Sequence, residues 1–153
     1  MENKTGKILC IGNLCVDIKA YCPAEDDTEA YREGTIEIVP GGVARGMALN
    51  LKLLGMDSAI LSYVGNDIFG DYLRRTLETK QIDTTLLHQS KEHKTALFSV
   101  MKNGTRDASC IYNTNIIKEI TFDNEVINYI ESNKEIKEYV LLNKIEEFNL
   151  KDL

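Results

Sequence analysis

Two adjacent glycines stand just before a predicted helix, in the segment Gly41 to Gly46 with the sequence Gly-Gly-Val-Ala-Arg-Gly. Unpaired backbone N–H groups at the start of a helix face outward, and the helix dipole favours anions or hydroxyl oxygens. The segment is therefore a candidate cradle for a small ligand. It is neither a Walker loop, because no Gly-Lys-Ser/Thr follows, nor a GxGxxG dinucleotide turn. A tight turn packed against a sheet requires the same glycine pair, so both interpretations stand.

Two aspartates follow predicted strands. Asp17 lies a few residues beyond the first predicted strand, and ligands of open α/β sheets bind outside the carboxyl ends of strands. Its carboxylate can accept hydrogen bonds from sugar hydroxyls, the alternative being an exposed loop aspartate. Asp67, followed by Gly70, is placed to cap a helix, and we favour this over a ligand role.

The elements that position these residues alternate between strands and helices, which is typical of a parallel βαβ unit. Apolar spacing from Ala44 predicts a helix that ends at Gly55. The segments 18–22 and 35–39 are predicted to form a two-stranded flap, and Asn103-Gly104 predicts a hairpin. The predicted strands are 7–11, 18–22, 35–39, 58–64, 95–101, 106–112 and 139–142, with helices at 44–54, after Asn66 or Asp67, and at 125–131.

Composition limits the class of protein. The 153 residues are 43% hydrophobic and 27% charged, with a formal net charge of −6, which predicts one ordinary globular domain spanning residues 1–153. The absence of a long apolar run or a signal peptide predicts a cytoplasmic protein without a membrane segment. Scattered basic residues and an acidic balance make a nucleic-acid partner unexpected.

Cysteine and histidine spacing predicts no metal site. The four cysteines have no CxxC spacing, and we expect reduced, mostly buried thiols. The two histidines, His88 and His93, lack ligand-spaced partners and are interpreted as surface residues in a polar connection.

Taken together, these motifs resemble the amino-terminal signature of the pfkB (ribokinase-like) carbohydrate kinase family. The segment Gly41 to Ala48, with Gly55 and Gly65 at the following spacings, fits that signature at every position but one. The segment Gly12 to Asp17 resembles the family's first strand-to-lid turn, and Val64 to Gly70 resembles its Val-Gly-x-Asp-x-Phe-Gly motif. The resemblance spans about residues 7 to 112, and Gly-Gly-Val-Ala-Arg is most similar to pseudouridine kinases.

The resemblance implies an α/β fold, a ribokinase-like three-layer sandwich with a small β lid. It also implies that Asp17 and the segment of Gly41, Gly42, Arg45 and Gly46 hold the hydroxyls of a sugar or nucleoside. Phosphate would pass from ATP, with Mg²⁺, to a primary hydroxyl. The family usually has asparagine at the positions of Cys15 and Gly46, so altered substrate binding is expected.

The family's second motif, Asp-Thr-x-Gly-Ala-Gly-Asp, supplies its catalytic aspartate and does not occur in this sequence. We therefore assign no catalytic residue and predict a truncated, amino-terminal half of the fold, without its ATP and Mg²⁺ site and inactive alone. The alternatives are a non-catalytic sugar- or nucleoside-binding or interaction module derived from such a kinase, and an α/β domain without a ligand. A homo-oligomer formed through the lid or an exposed sheet edge is expected.

Overall fold

The computed structural model describes residues 6–23, 31–104, 109–134 and 136–141. Within them the chain forms eight strands, three α-helices and one short 3-10 helix at Asn115–Glu119. The strands are β1 (Lys7–Ile11), β2 (Cys15–Cys22), β3 (Thr35–Gly41), β4 (Ser58–Gly65), β5 (Leu87–Ser90), β6 (Leu97–Asn103), β7 (Ser109–Asn113) and β8 (Ile136–Leu141), and the helices are α1 (Val43–Leu53), α2 (Ile68–Glu78) and α3 (Asn124–Ser132).

The main sheet has the strand order β5-β4-β1-β8, and every pairing in it is parallel. Side chains alternate across β1, so Ile8 and Cys10 pack into one apolar cluster while Leu9 and Ile11 pack into another. The first cluster is completed by α1 and α2, and the second by α3 and the 3-10 helix. Helices therefore cover both faces of a parallel sheet, which confirms the predicted three-layer α/β architecture.

The second sheet, which we call the lid sheet, has the order β3-β2-β6-β7. Strands β2 and β3 pair antiparallel, but both are longer than the predicted flap segments 18–22 and 35–39. The sheet also has four strands rather than two, because β6 pairs parallel to β2 and carries β7 with it. That parallel pairing joins segments far apart in the sequence, which a local pattern of apolar residues does not reveal.

Several element boundaries differ from the sequence predictions. The antiparallel hairpin of β6 and β7 is confirmed, but Asn103 belongs to β6, and residues 105–108 lie outside the described residues. The last strand begins at Ile136 and not at 139, and residue 142 lies outside the described part. His88, predicted to be a surface residue of a connection, lies in β5, partly buried, with its ring centroid 5.0 Å from that of Tyr63.

The helix termini follow the sequence signals. Asp67 is the N-cap of α2 and Asp123 the N-cap of α3. Helix α1 starts after Gly42, whose φ is +99°, and it is followed by Gly55 with φ +80°. Both glycines adopt a left-handed backbone that residues with a side chain rarely take. No helix in the described part of the chain is both long and apolar enough to cross a membrane.

Candidate functional site

Asp17 lies on β2 and not in a loop, close to the point where the lid sheet leaves the main sheet. Cys15 is two residues earlier on the same face of the strand, and its thiol donates a hydrogen bond to Asp17 Oδ1 at 3.4 Å. Gly41 of β3 pairs with Cys15 across the lid sheet. A side chain at Gly41 would place its Cβ 2.7 Å from Oδ1, so the carboxylate occupies the space that this glycine leaves.

Gly42 continues the same turn, and its lack of a side chain has a packing cause. A Cβ at this position would lie 2.7 Å from Leu14 Cα and would also collide with the Asn13 carbonyl oxygen. The β3–α1 turn therefore presses against the β1–β2 connection at a separation that only glycine permits. The close packing of this turn accounts for Gly42, and the Asp17 carboxylate accounts for Gly41, whereas a ligand cradle at the glycine pair stays a prediction.

Arg45, in the first turn of α1, braces this turn. Its Nη1 donates to the carbonyl oxygen of Pro40 at 2.9 Å. Burial lowers the pKa of the guanidinium, against the opposing effect of Tyr72, Cys15 and Asp17. The charges of Arg45 and Asp17 therefore influence each other, but the hydrogen bond of Arg45 goes to the backbone of the turn, and a shared ligand-binding role stays a prediction.

Gly46 differs from the other glycines of the segment, because a Cβ there would meet no atom within 4 Å. Its N–H donates to the Gly42 carbonyl oxygen at 3.0 Å, so it is an ordinary residue of the helix backbone. The position has room for a side chain that this chain does not supply.

The thiol of Cys15 stays protonated at neutral pH. The residue is 3% exposed, and burial, followed by the neighbouring Asp17 carboxylate, raises the pKa of Cys15 to about 12. A protonated thiol is a donor and a poor nucleophile, so Cys15 has the chemistry of a hydrogen-bonding residue. The sequence predicts that an amide able to bond a sugar hydroxyl is missing at this position, and the structure shows that the thiol present there donates to Asp17.

Asp67, together with the glycines of its motif, is structural. Its Oδ1 accepts from the N–H groups of Phe69 (3.2 Å) and Gly70 (2.9 Å), and Thr95 adds its hydroxyl at 2.7 Å and its N–H, to Oδ2, at 2.9 Å. Burial alone would raise the pKa of Asp67, but these four bonds lower it below its ordinary value. The carboxylate caps α2 and ties it to the segment that enters β6, in agreement with the predicted capping role.

A second group of polar residues that the sequence did not reveal lies at the end of β5 and in the connection that follows it. Ser90 Oγ donates to Glu119 Oε1 at 2.5 Å, and His93 Nδ1 lies 2.6 Å from the same oxygen. Ser90 Oγ also accepts from the backbone N–H of His93 at 2.8 Å. These contacts fix the chain between β5 and β6 against the 3-10 helix, so His93 lies in the connection, as predicted, with its side chain 38% exposed and partnered by Glu119.

A cavity of about 760 Å³ lies at the far end of the β2–β3 pair from Asp17. Because Asp17 does not line it, this cavity is not the predicted acceptor site. Its walls include Tyr21, Cys22, Arg32, Gly34, Ile36 and Met101.

A model of the family described as pfkB family carbohydrate kinase matches residues 5–149 of the chain. The chain belongs to this family. A pseudouridine kinase of Escherichia coli is 30% identical over 118 residues, which are 74% of this chain and 37% of that protein. An uncharacterized sugar kinase of Pyrococcus horikoshii is 29% identical over 125 residues, 82% of this chain and 37% of that protein.

Solved structures agree with this pfkB assignment. The fructokinase of Halothermothrix orenii superimposes with a TM-score of 0.68 at 27% identity, covering 88% of this chain and 45% of that one. The P. horikoshii kinase, solved in complex with ATP, gives a TM-score of 0.58 at 29% identity and covers 71% and 34%. The fold is therefore ribokinase-like, and the chain spans less than half the length of these relatives.

Proposed function

We propose that this chain is the acceptor-binding half of an ATP-dependent sugar or nucleoside kinase. The observation that supports it is the Asp17 carboxylate, held by Cys15 against Gly41 at the junction of the lid and main sheets. An ionised carboxylate is an acceptor for two or more hydroxyl groups, which suits a polyol. Asp17, Gly41, Gly42, Arg45 and Gly46 form the proposed substrate-binding group, in which Asp17 binds and orients the acceptor and Arg45 holds the turn.

The reaction of the complete kinase would transfer a phosphoryl group to a primary hydroxyl of a sugar or nucleoside; a fructokinase and a pseudouridine kinase of Escherichia coli are among the relatives. Phosphoryl transfer depends on positioning both reactants and on stabilising charge at the transferred group. The residues assigned above position the acceptor only, and the sequence contains no Asp-Thr-x-Gly-Ala-Gly-Asp motif. We therefore propose that ATP and Mg²⁺ are bound by residues outside the proposed substrate-binding group. We also propose that the 153 residues alone do not phosphorylate an acceptor.

A binding panel tests this proposal directly. The purified chain is titrated calorimetrically with pseudouridine, adenosine, ribose, fructose and fructose 6-phosphate, and separately with ATP and Mg²⁺. We expect one acceptor to bind, and we expect Asp17→Asn to weaken its binding at least about tenfold. The substitution replaces one of the two carboxylate oxygens, which accept from hydroxyl groups, with an NH₂ group that cannot accept. The matched control is Glu78→Gln. Glu78 is an exposed carboxylate at the C-terminal end of α2, and its substitution should not change the affinity.

Two results would refute this proposal. If the chain binds none of these acceptors, the proposed acceptor-binding function is wrong. If the isolated chain phosphorylates any of them, the proposal that it is inactive alone is wrong. Both are measured on the same preparation, the second by ADP release.

The second candidate function is a non-catalytic binding or interaction module, and the open space at Gly46 makes it testable. Since no atom lies within 4 Å of a Cβ at this position, a side chain introduced there starts in open space. If the chain is a module that no longer binds sugars, the double variant Gly46→Asn with Cys15→Asn should bind its ligand with the same affinity as the wild-type chain. A gain of tenfold or more for a sugar would indicate a kinase pocket that has lost two amides.

We also propose self-association, in a cytoplasmic setting where the four cysteines, all free in the structure, remain reduced. The strand registers place five apolar side chains on one face of the lid sheet: Ile18, Ile36, Ile38, Met101 and Ile111. All of these except Ile18 are more than half exposed, from 51% at Ile38 to 79% at Ile111. Such an apolar face is typical of an interaction surface. Light scattering that shows a monodisperse monomer would contradict the proposal.

A further inference from the structure

We propose that Cys15 is the positioning residue of the acceptor site: its thiol fixes the Asp17 carboxylate for hydroxyl binding, taking the place of an amide donor. This inference deepens the proposed function and depends on it, because it concerns the same site. The residues that carry it are Cys15, Asp17 and Gly41, which contact one another within the lid sheet.

The backbone determines the direction of the contact. Cys15 and Asp17 are separated by one residue on β2, so both side chains project from the same face. Neighbouring side chains on that face do not touch unless one leans along the strand. The Asp17 side chain leans toward Cys15 and covers Gly41, the residue paired with Cys15 on β3, where the missing Cβ makes room for the carboxylate.

The thiol supplies a permanent donor. Cys15 is 3% exposed, so water does not compete for its hydrogen, and burial and the adjacent carboxylate raise the pKa of Cys15 to about 12. A hydrogen bond to a charged acceptor is roughly twice as strong as one between neutral groups. Because Oδ1 accepts the thiol hydrogen and the carboxylate fills the space beside Gly41, the rotation of the carboxylate is restricted.

Fixing the carboxylate matters because binding otherwise has to immobilise it. An aspartate that samples several rotamers loses that freedom when the ligand binds, and a preformed orientation removes this cost. The effect should therefore be seen in affinity for an acceptor and not in the fold, since the Cys15–Asp17 contact joins neighbouring residues of one strand.

The first test uses the ligand-free protein. The S–H stretching band of Cys15, identified by the infrared difference between the wild-type chain and Cys15→Ala, should lie at lower frequency than the band of Cys10, a buried thiol of the core. In Asp17→Ala the Cys15 band should move to higher frequency, because its acceptor is gone. A Cys15 band that does not respond to Asp17→Ala would overturn the inference.

The second test uses the acceptor found in the binding panel. Cys15→Ala should weaken its binding about tenfold, whereas Cys15→Ser, which keeps a donor, should remain within about threefold of the wild-type chain. Cys110→Ser, a change of an exposed thiol on β7, is the matched control and should have no effect. Equal losses in the alanine and serine variants would contradict a donor role.

The two tests separate failure of the inference from failure of the proposed function. A shifted S–H band in a protein that binds no acceptor would support the Cys15–Asp17 hydrogen bond but refute the proposed acceptor site. Acceptor binding with an Asp17-insensitive band and unchanged affinity in Cys15→Ala would preserve the site and refute the role of Cys15. If Cys15→Ala does not fold, the band is identified by the difference between Cys15→Ser and the wild-type chain, and the Asp17→Ala comparison stands.

Discussion

Replacing Asp67 by alanine should lower the free energy of unfolding by about 3 kcal/mol. The carboxylate accepts the N–H groups of Phe69 and Gly70 at 3.2 and 2.9 Å and thereby caps α2. Loss of a cap of this kind costs about 1 kcal/mol. The Asp67 carboxylate also accepts hydrogen bonds from the N–H and the hydroxyl of Thr95, at 2.9 and 2.7 Å. These two charge-assisted bonds, discounted because the group is partly exposed, contribute about 2 kcal/mol more.

Asp67→Asn separates the two contributions. The amide keeps an oxygen for the cap, but an N–H₂ group then faces the donor N–H of Thr95, so we expect a loss of about 1 to 2 kcal/mol. The measurement is urea denaturation followed by circular dichroism, in which the midpoint should fall at unchanged slope. Asp71→Asn, an exposed carboxylate in the first turn of the same helix, is the control and should change stability by less than about 0.5 kcal/mol.

The dependence on pH has a defined sign. The pKa of Asp67 is lowered in the folded chain, so its contribution is fully present above its unfolded value, near about 4, and is lost as the pH falls through the folded value. The stability difference between wild type and Asp67→Asn should therefore shrink below about pH 4. A loss below about 0.5 kcal/mol in Asp67→Ala at pH 7 would refute the capping and bridging argument.

Three further stability changes follow from the structure, each measured by the same denaturation. Gly42→Ala should destabilise by about 3 kcal/mol, because φ is +99° and a Cβ would lie 2.7 Å from Leu14 Cα. Gly46→Ala, four residues later with open space around its Cβ, should instead stabilise by about 0.5 to 1 kcal/mol. Tyr129→Phe should cost about 1 to 2 kcal/mol, since it removes the 2.7 Å bond from Tyr129 to the Asp83 carboxylate. An effect of opposite sign in any of them would show that its local argument is wrong.

Much of the main sheet could be predicted from the sequence, because its signals are local. Buried strands appear as short apolar runs and α1 as apolar residues three or four apart. The Asp67 cap follows from an aspartate directly before such a pattern. β5 could not be found in this way, because its four residues, Leu-His-Gln-Ser, carry a single apolar side chain, and its pairing with β4 decides its structure.

The parts that escaped prediction depend on contacts between distant residues. The bond between Asp67 and Thr95 spans 28 positions, and the bond between Ser90 and Glu119 spans 29. No local pattern marks Thr95 or Glu119 as a partner. Cys15 escaped for a different reason: a cysteine in place of an amide suggests a lost donor, and only its burial beside Asp17 shows that the thiol donates.

The contacts of Asp17 with Cys15 and Gly41 are formed within the described part of this chain, and this bears on the order of binding. Arg45 bonded to Pro40 fixes the turn that carries Gly41, and Asp67 bonded to Thr95 fixes the entry of β6, the strand beside β2. If the acceptor site is preformed in this way, an acceptor should bind without nucleotide and with nearly the same affinity in its presence. An acceptor affinity that rises tenfold or more when ATP and Mg²⁺ are added would mean that the nucleotide completes the site, and that this half of the kinase fold does not form the acceptor site by itself.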